Sequence, residues 1–214
     1  MKRIYLSFCY FTILIFCITC KRTETKSDTG EAYFPLNSGK IKIFSVDSVN
    51  YNSITNKKDS IRYYLKEIIT ESNDDSSGYM SYKTEAYTAI DTTKGWSFSS
   101  YYFYKKNEYH INLVKGGYIV TCFVFPVTKG RRWNMNIFNA FEPIHASYSF
   151  VAKPWMNFGD CVEVFVKEDI NVIEESVDKR IYAREQGLVY QIFSNISIDN
   201  SKKNGYKIIK NLIK

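Results

Sequence analysis

The sequence is poor in the residues that break folds and in those that most enzyme chemistry needs. It has 4 prolines and 10 glycines, too few for a collagen-like or Pro/Gly-rich low-complexity chain. Only 2 histidines occur, His110 and His145, and neither stands at a metal-ligand spacing from a cysteine, so no metal site and no cofactor is expected. No Gly-x-Ser-x-Gly elbow is present, and Gly116-Gly117 lacks the strand–loop–helix setting of a phosphate loop. Long basic runs are missing too. Lys and Arg number 29 against 22 Asp and Glu, a formal charge of +7, but the cations are scattered, with pairs such as Arg131-Arg132 and Lys202-Lys203 as the longest clusters. A nucleic-acid reader concentrates its charge on one element, so no nucleic-acid partner is expected. Beyond residue 20 no apolar run reaches the length of a membrane-spanning helix.

What the sequence has in excess is aromatic side chains, at 17% with 18 Tyr and 15 Phe. Aromatics favour strands, and 45% hydrophobic with 24% charged residues is the balance of a folded globular chain. Short alternating segments follow one another from Tyr33: Lys40 to Val49, Ser60 to Thr70, Tyr79 to Ile90, Trp96 to Tyr104, Glu108 to Val114 and Tyr118 to Phe125. The pattern resumes at Ser147 to Ala152, Cys161 to Lys167, Val177 to Glu185 and Leu188 to Ile198. Turn formers separate them, notably Glu71 to Gly78, Asn107 and Gly116-Gly117. Trp133 to Phe141 reads as a short helix or a loop, and Tyr206 to Ile213 as a last strand or a short helix. The expected fold is all-β or nearly so: an antiparallel meander of about ten strands that must curl to hide its edges. A barrel or strongly curved half-barrel is favoured, with a two-layer sandwich as the alternative.

The start of the chain reads as a leader. Lys2-Arg3 precedes an uncharged apolar stretch from Ile4 to Thr19, shorter than the roughly 20 residues of a spanning helix, and charged, polar sequence follows from Lys21. Cys17-Ile18-Thr19-Cys20 resembles the lipobox of bacterial lipoproteins, in which the last cysteine becomes the lipid-bearing first residue of the mature chain. That role falls here on Cys20. Two or three acyl chains on one residue anchor a protein stably to a membrane. The division expected is therefore a signal peptide over 1–19, a lipidated cysteine and flexible tether over 20–32, and one β-rich domain over 33–214.

With the leader removed and Cys20 lipidated, Cys122 and Cys161 remain in an oxidising compartment, where two cysteines allow one bridge. Buried, inert thiols are the other reading. Phe34-Pro35-Leu36-Asn37-Ser38-Gly39 recurs as Phe125-Pro126-Val127-Thr128-Lys129-Gly130, which marks either two similar halves or a turn device used twice. Alternation along Ser100 to Tyr104 puts Tyr102 and Tyr104 on one face and Tyr101 and Phe103 on the other. Tyr102, Tyr104, Trp133 and Trp155, with Arg131 and Arg132 for an anionic group, form the candidate ligand surface.

YFPLNSGK, FPVTKGRRWNMN and RIYAREQGLVYQ resemble segments of a group of small, uncharacterised Bacteroidota lipoproteins. The resemblance implies a lipoprotein of the cell envelope and a β-rich fold, and it brings no catalytic residues. Some such lipoproteins carry an acidic run after the cysteine that directs them to the cell surface. Lys21 to Glu31 has none, so the periplasmic face of the outer membrane is expected. The expected role is a non-enzymatic binding or structural module that meets an envelope protein or a hydrophobic ligand. A sugar-binding or glycan-processing accessory lipoprotein is the alternative.

Overall fold

Period-two alternation builds the sheet strand by strand. The structure, a computed structural model, describes residues 28–74 and 77–214. Its strands are β1 (Ile41–Asn52), β2 (Lys57–Asp74), β3 (Met80–Ala89), β4 (Ser97–Lys106), β5 (His110–Lys115), β6 (Tyr118–Val124), β7 (Arg132–Asn134), β8 (His145–Tyr148), β9 (Lys153–Trp155), β10 (Phe158–Ile170), β11 (Glu174–Ala183), β12 (Gly187–Asp199) and β13 (Lys202–Leu212). They form one 13-stranded antiparallel sheet in the order β6-β5-β4-β3-β2-β1-β13-β12-β11-β10-β8-β7, with β9 beside β10. Two meanders are thus welded where β1 meets β13, Phe44 opposite Leu212 through Tyr51 opposite Gly205. The sheet curls into a nearly closed barrel, the expected solution for a meander too long to stay flat. The sandwich alternative does not form.

The free edges at β6 and β7 would be open templates for further pairing. Side chains, with one backbone carbonyl, close the β6 edge instead. Ile119 donates its N–H to Asn139 Oδ1 (3.2 Å) and accepts from Asn139 Nδ2 (2.6 Å). Thr121 donates to the Met135 carbonyl (2.9 Å) and accepts from Trp133 Nε1 (2.9 Å). Val124 donates to the Tyr148 hydroxyl (3.0 Å), which donates back to the Val124 carbonyl (2.7 Å). Three residues of β6 that turn their backbone away from β5 therefore each find both partners across the seam.

One end of the barrel is plugged by the segment before β1. Tyr33, Phe34 and Leu36 are buried in the main core with Ile69, Ile111, Phe123, Phe125 and Tyr148. The Phe34 ring meets Tyr104, Phe123 and Tyr182 at 5.1, 5.5 and 5.3 Å between centroids. Polar contacts fix the plug to the wall: Lys106 Nζ to Glu31 Oε2 (2.6 Å), Glu185 N–H to the Ala32 carbonyl (2.7 Å), and Arg184, which bonds both Asp28 and Asp160 while Tyr33 donates to Asp160. Residues 28–32 thus belong to the fold and not to the tether to which the sequence reading assigns them. The two Phe-Pro motifs do related work: Phe34 and Phe125 enter the same core, and Gly39 and Gly130 turn the chain at φ 82° and 83°.

The strand reading holds, with thirteen strands rather than about ten: the three-residue β7 and β9 are too short to show as alternation, the segment left open at the end is β13, and the strand expected over Ser147 to Ala152 appears as β8, which ends at Tyr148. Trp133 to Phe141 is neither the helix nor wholly the loop expected; it begins in β7 and continues as turns. Tyr206 to Ile213 falls almost entirely in β13, and β2 continues as far as Asp74 into the segment expected as a loop. The face turned away from the interior carries ion pairs such as Asp47–Arg62, Lys83–Glu85 and Lys179–Glu168. A membrane-spanning barrel shows an apolar band there. Among the described residues no helix is long and apolar enough to cross a membrane.

Candidate functional site

Above the plug the barrel encloses a cavity of about 480 Å³. Phe34 is its floor, and its walls come from β2, β3, β4, β5, β6, β11, β12 and β13. Lys115, beside the β5–β6 turn, lines it near the opposite end from the plug. The volume lies in the range of about 300–1,000 Å³ typical of small-molecule sites.

The inward positions follow from register. Phe44, Leu65 and Thr88 share one row across β1, β2 and β3; Lys42, Glu67 and Ala86 share the next. Tyr102 pairs with Thr84 and Tyr104 with Tyr82, so both tyrosines point inward, Tyr102 at 6% exposure against 56% for its outward neighbour Tyr101. On the far wall Arg180, Gln191 and Lys210 stand directly opposite one another across β11, β12 and β13, and all three line the cavity.

Burial governs the electrostatics. It pushes the Tyr102 and Tyr104 hydroxyls well above the usual tyrosine range, reinforced by the negative charge of Glu67. Burial raises Tyr182 as well. Both kinds of side chain stay neutral and act as hydrogen-bonding groups on an apolar wall. Arg180 is held by Asp178, Nε to Oδ1 at 3.2 Å and Nη2 to Oδ2 at 2.8 Å. Protein surrounds it, yet 16% of its side-chain surface stays open, and the space it lines is the cavity. Below the floor, Lys42 faces Glu67 across β1 and β2, and burial lowers its ammonium to about 8.

Of the six side chains expected to form a ligand surface, the fold gathers two. Tyr102 and Tyr104 line the cavity. Trp133 packs at 4.9 Å on Tyr148 and serves the seam. Arg131 donates from Nη1 to the Pro126 carbonyl at 3.0 Å. Arg132 borders a separate surface groove with His145 and Phe165. Trp155 lies on the outer face, 4.8 Å from Tyr190. These four do not converge with the tyrosines: Trp133 and Trp155 are engaged in packing, Arg131 holds a backbone carbonyl and Arg132 faces the separate groove.

Of the two readings of Cys122 and Cys161, the bridge does not form; both thiols are free and buried. Cys122 on β6 lines the cavity. Cys161 on β10 pairs with Ala183, one residue from the inward Tyr182, and belongs to an outer cluster with Ile181 and Val189. β6 and β10 are not neighbours in the sheet, and a bridge needs Cα atoms within about 7 Å. Burial pushes the Cys122 thiol up to about 12, which disfavours its thiolate. Cys20 lies outside the described residues.

The sequence reading did not single out Arg180, Gln191, Lys210 and Tyr182 for the site. Their one signal is polarity on the core-facing side of an alternating strand, visible only once the register is known. Comparison of the chain with protein-family models, curated proteins and solved structures finds no match.

Proposed function

We propose that the chain is an exported lipoprotein, anchored through Cys20, whose barrel is a non-enzymatic container for a small ligand. The observation that carries the reading is the cavity of about 480 Å³ floored by Phe34, a size that suits a small molecule and not a protein partner. The chain enters the fold at the plug end. Eight residue steps separate Cys20 from Asp28, at most about 28 Å of extended chain, so an anchored barrel holds its plug toward the bilayer and its mouth toward the aqueous space. The buried hydroxyls and high thiol of the cavity supply hydrogen bonds and packing, not a nucleophile. The glycan-binding alternative draws little support from Trp133 and Trp155, whose rings are engaged in packing.

Native mass spectrometry of the full chain, expressed with its leader in a bacterial host and extracted in mild detergent, tests both halves. Acyl mass on the N-terminal fragment, absent from Cys20→Ser, is expected, together with extra mass that leaves on denaturation. An unacylated chain still carrying its leader overturns the anchor. A bare barrel, even after incubation with an extract of the host envelope, overturns the container.

A further inference from the structure

We infer that the cavity takes a small amphipathic anion, a carboxylate-, sulfonate- or phosphate-headed molecule with an apolar body, seated with its head on the row Arg180–Gln191–Lys210. This deepens the container reading and rests on it.

The row is built for one head group. Neighbouring strands lie about 4.8 Å apart, so two strand spacings, roughly 10 Å, separate the Arg180 and Lys210 backbones. Gln191 stands between them in register with both. Long side chains from the two ends can meet over that amide. Asp178 fixes the Arg180 fork through Nε and Nη2, and neither bond uses Nη1. A guanidinium held on one edge presents a pre-positioned charged donor on the other.

Charge balance points the same way. Three cations line the cavity, Lys115, Arg180 and Lys210, against one lining carboxylate, Glu67; Asp178, bound to Arg180 beside the cavity, offsets that residue's charge. Glu67 lies low in the cup, opposite Lys42. Among the described residues neither Lys115 nor Lys210 has a carboxylate at ion-pair distance; Lys115 instead sits over the Tyr102 ring at 5.7 Å. With Arg180 held by Asp178, the charges of Lys115 and Lys210 are the ones left without a carboxylate, and an anion seated beside Lys210 and the open edge of the Arg180 guanidinium gains a charged partner. The remaining wall suits an apolar body: Leu65, Leu113, Val120 and Leu188 stand above the Phe34 floor.

The test uses two dyes sharing a ring system, 8-anilinonaphthalene-1-sulfonate and its neutral analogue N-phenyl-1-naphthylamine. The protein is the mature chain from residue 20 with Cys20→Ser, so that no acyl chain competes; it retains every described strand. The sulfonate is expected to bind at least tenfold more tightly than the neutral dye. Lys210→Gln is expected to weaken the sulfonate roughly tenfold, the worth of a charged hydrogen bond, and to leave the neutral dye unchanged; Lys210→Glu is expected to weaken it further. Ser100→Trp, which fills the wall, is expected to abolish both signals while the far-ultraviolet spectrum stays that of the parent. Dodecanoate is expected to displace the dye and dodecanol to fail.

Equal binding of the two dyes, or Lys210 variants without effect, overturns the anion seat and leaves the container standing. Dye signals that survive Ser100→Trp place binding elsewhere and overturn it too. Absence of binding by either dye, with a bare native mass, overturns seat and container together. Displacement by phosphatidylglycerol vesicles but not by free dodecanoate assigns the head group to a bilayer lipid and overturns a free small molecule.

Discussion

Removing one oxygen atom from the barrel seam tests whether side chains truly replace a strand there. Tyr148 is fully buried. Its hydroxyl accepts from the Val124 N–H at 3.0 Å and donates to the Val124 carbonyl at 2.7 Å. Tyr148→Phe keeps the ring and its contacts with Phe123 at 5.3 Å and Trp133 at 4.9 Å. It strands a backbone donor and a backbone acceptor in a dry place. Each orphaned buried group costs about 1–3 kcal/mol, and the hydroxyl's own burial cost is recovered, so a net loss of about 2–4 kcal/mol is expected. In urea, with a slope of about 2–3 kcal/mol per M for a domain of this size, the midpoint falls by about 1 M at unchanged slope. The Val124 amide is expected to lose hydrogen-exchange protection in the variant beyond the global loss. Tyr101→Phe, at an exposed outward site, serves as control and is expected within about 0.5 kcal/mol of the parent. A Tyr148→Phe midpoint indistinguishable from that control refutes the seam argument.

Three further outcomes follow from the same geometry. Lys42 titrates at about 8 in the fold against 10.5 when free, so the unfolded chain binds more protons in that window and stability should rise from about pH 8 to 10; partial exposure holds the gain to about 1–2 kcal/mol, and Lys42→Met should flatten the slope in urea midpoints taken across that range. A Cβ on Gly205 would sit 2.0 Å from the Asn195 carbonyl oxygen, whereas one on Gly116 meets nothing within 4 Å; Gly205→Ala should therefore cost more than about 3 kcal/mol and Gly116→Ala only about 1 kcal/mol of backbone strain, and equal melting shifts for the two would contradict the register of β12 and β13. Cys122 and Cys161, free and buried, should react with a thiol reagent only on unfolding and leave the denatured mass two hydrogens heavier than a bridged chain.

The strand content was legible because alternation and turn residues are local. Tyr101 to Tyr104 announced both of their faces, and the structure keeps that division. The barrel was legible as a necessity, since a long antiparallel meander has edges to hide. The manner of hiding them was not legible: Asn139, Trp133 and Tyr148 reach β6 over 12 to 24 residues of sequence, and nothing local marks an amide or a phenol as a surrogate strand. Trp133 shows the consequence. Beside Arg131 and Arg132 it reads as a binding motif, yet its indole N–H is spent on the Thr121 carbonyl.

The ligand wall was hidden for a different reason, which is that irregularities rewrite the inward face strand by strand. Leu188 and Gln191 lie an odd number of residues apart and by strict alternation face opposite ways, yet both line the cavity. The ladder between β11 and β12 shifts register at Ile181/Tyr182, and the extra residue on β12 lies between them. The shift at Ala86/Tyr87 likewise lets the adjacent Ser99 and Ser100 both border the space. A bulge inserts one residue and inverts the parity beyond it. Arg180 and Lys210 thus look like ordinary surface charges in DKRIYA and IIKNL, and only the register through Gln191 places them on one wall, where the unpaired charge of Lys210 and the open edge of the Asp178-bound Arg180 guanidinium bear on what the barrel holds.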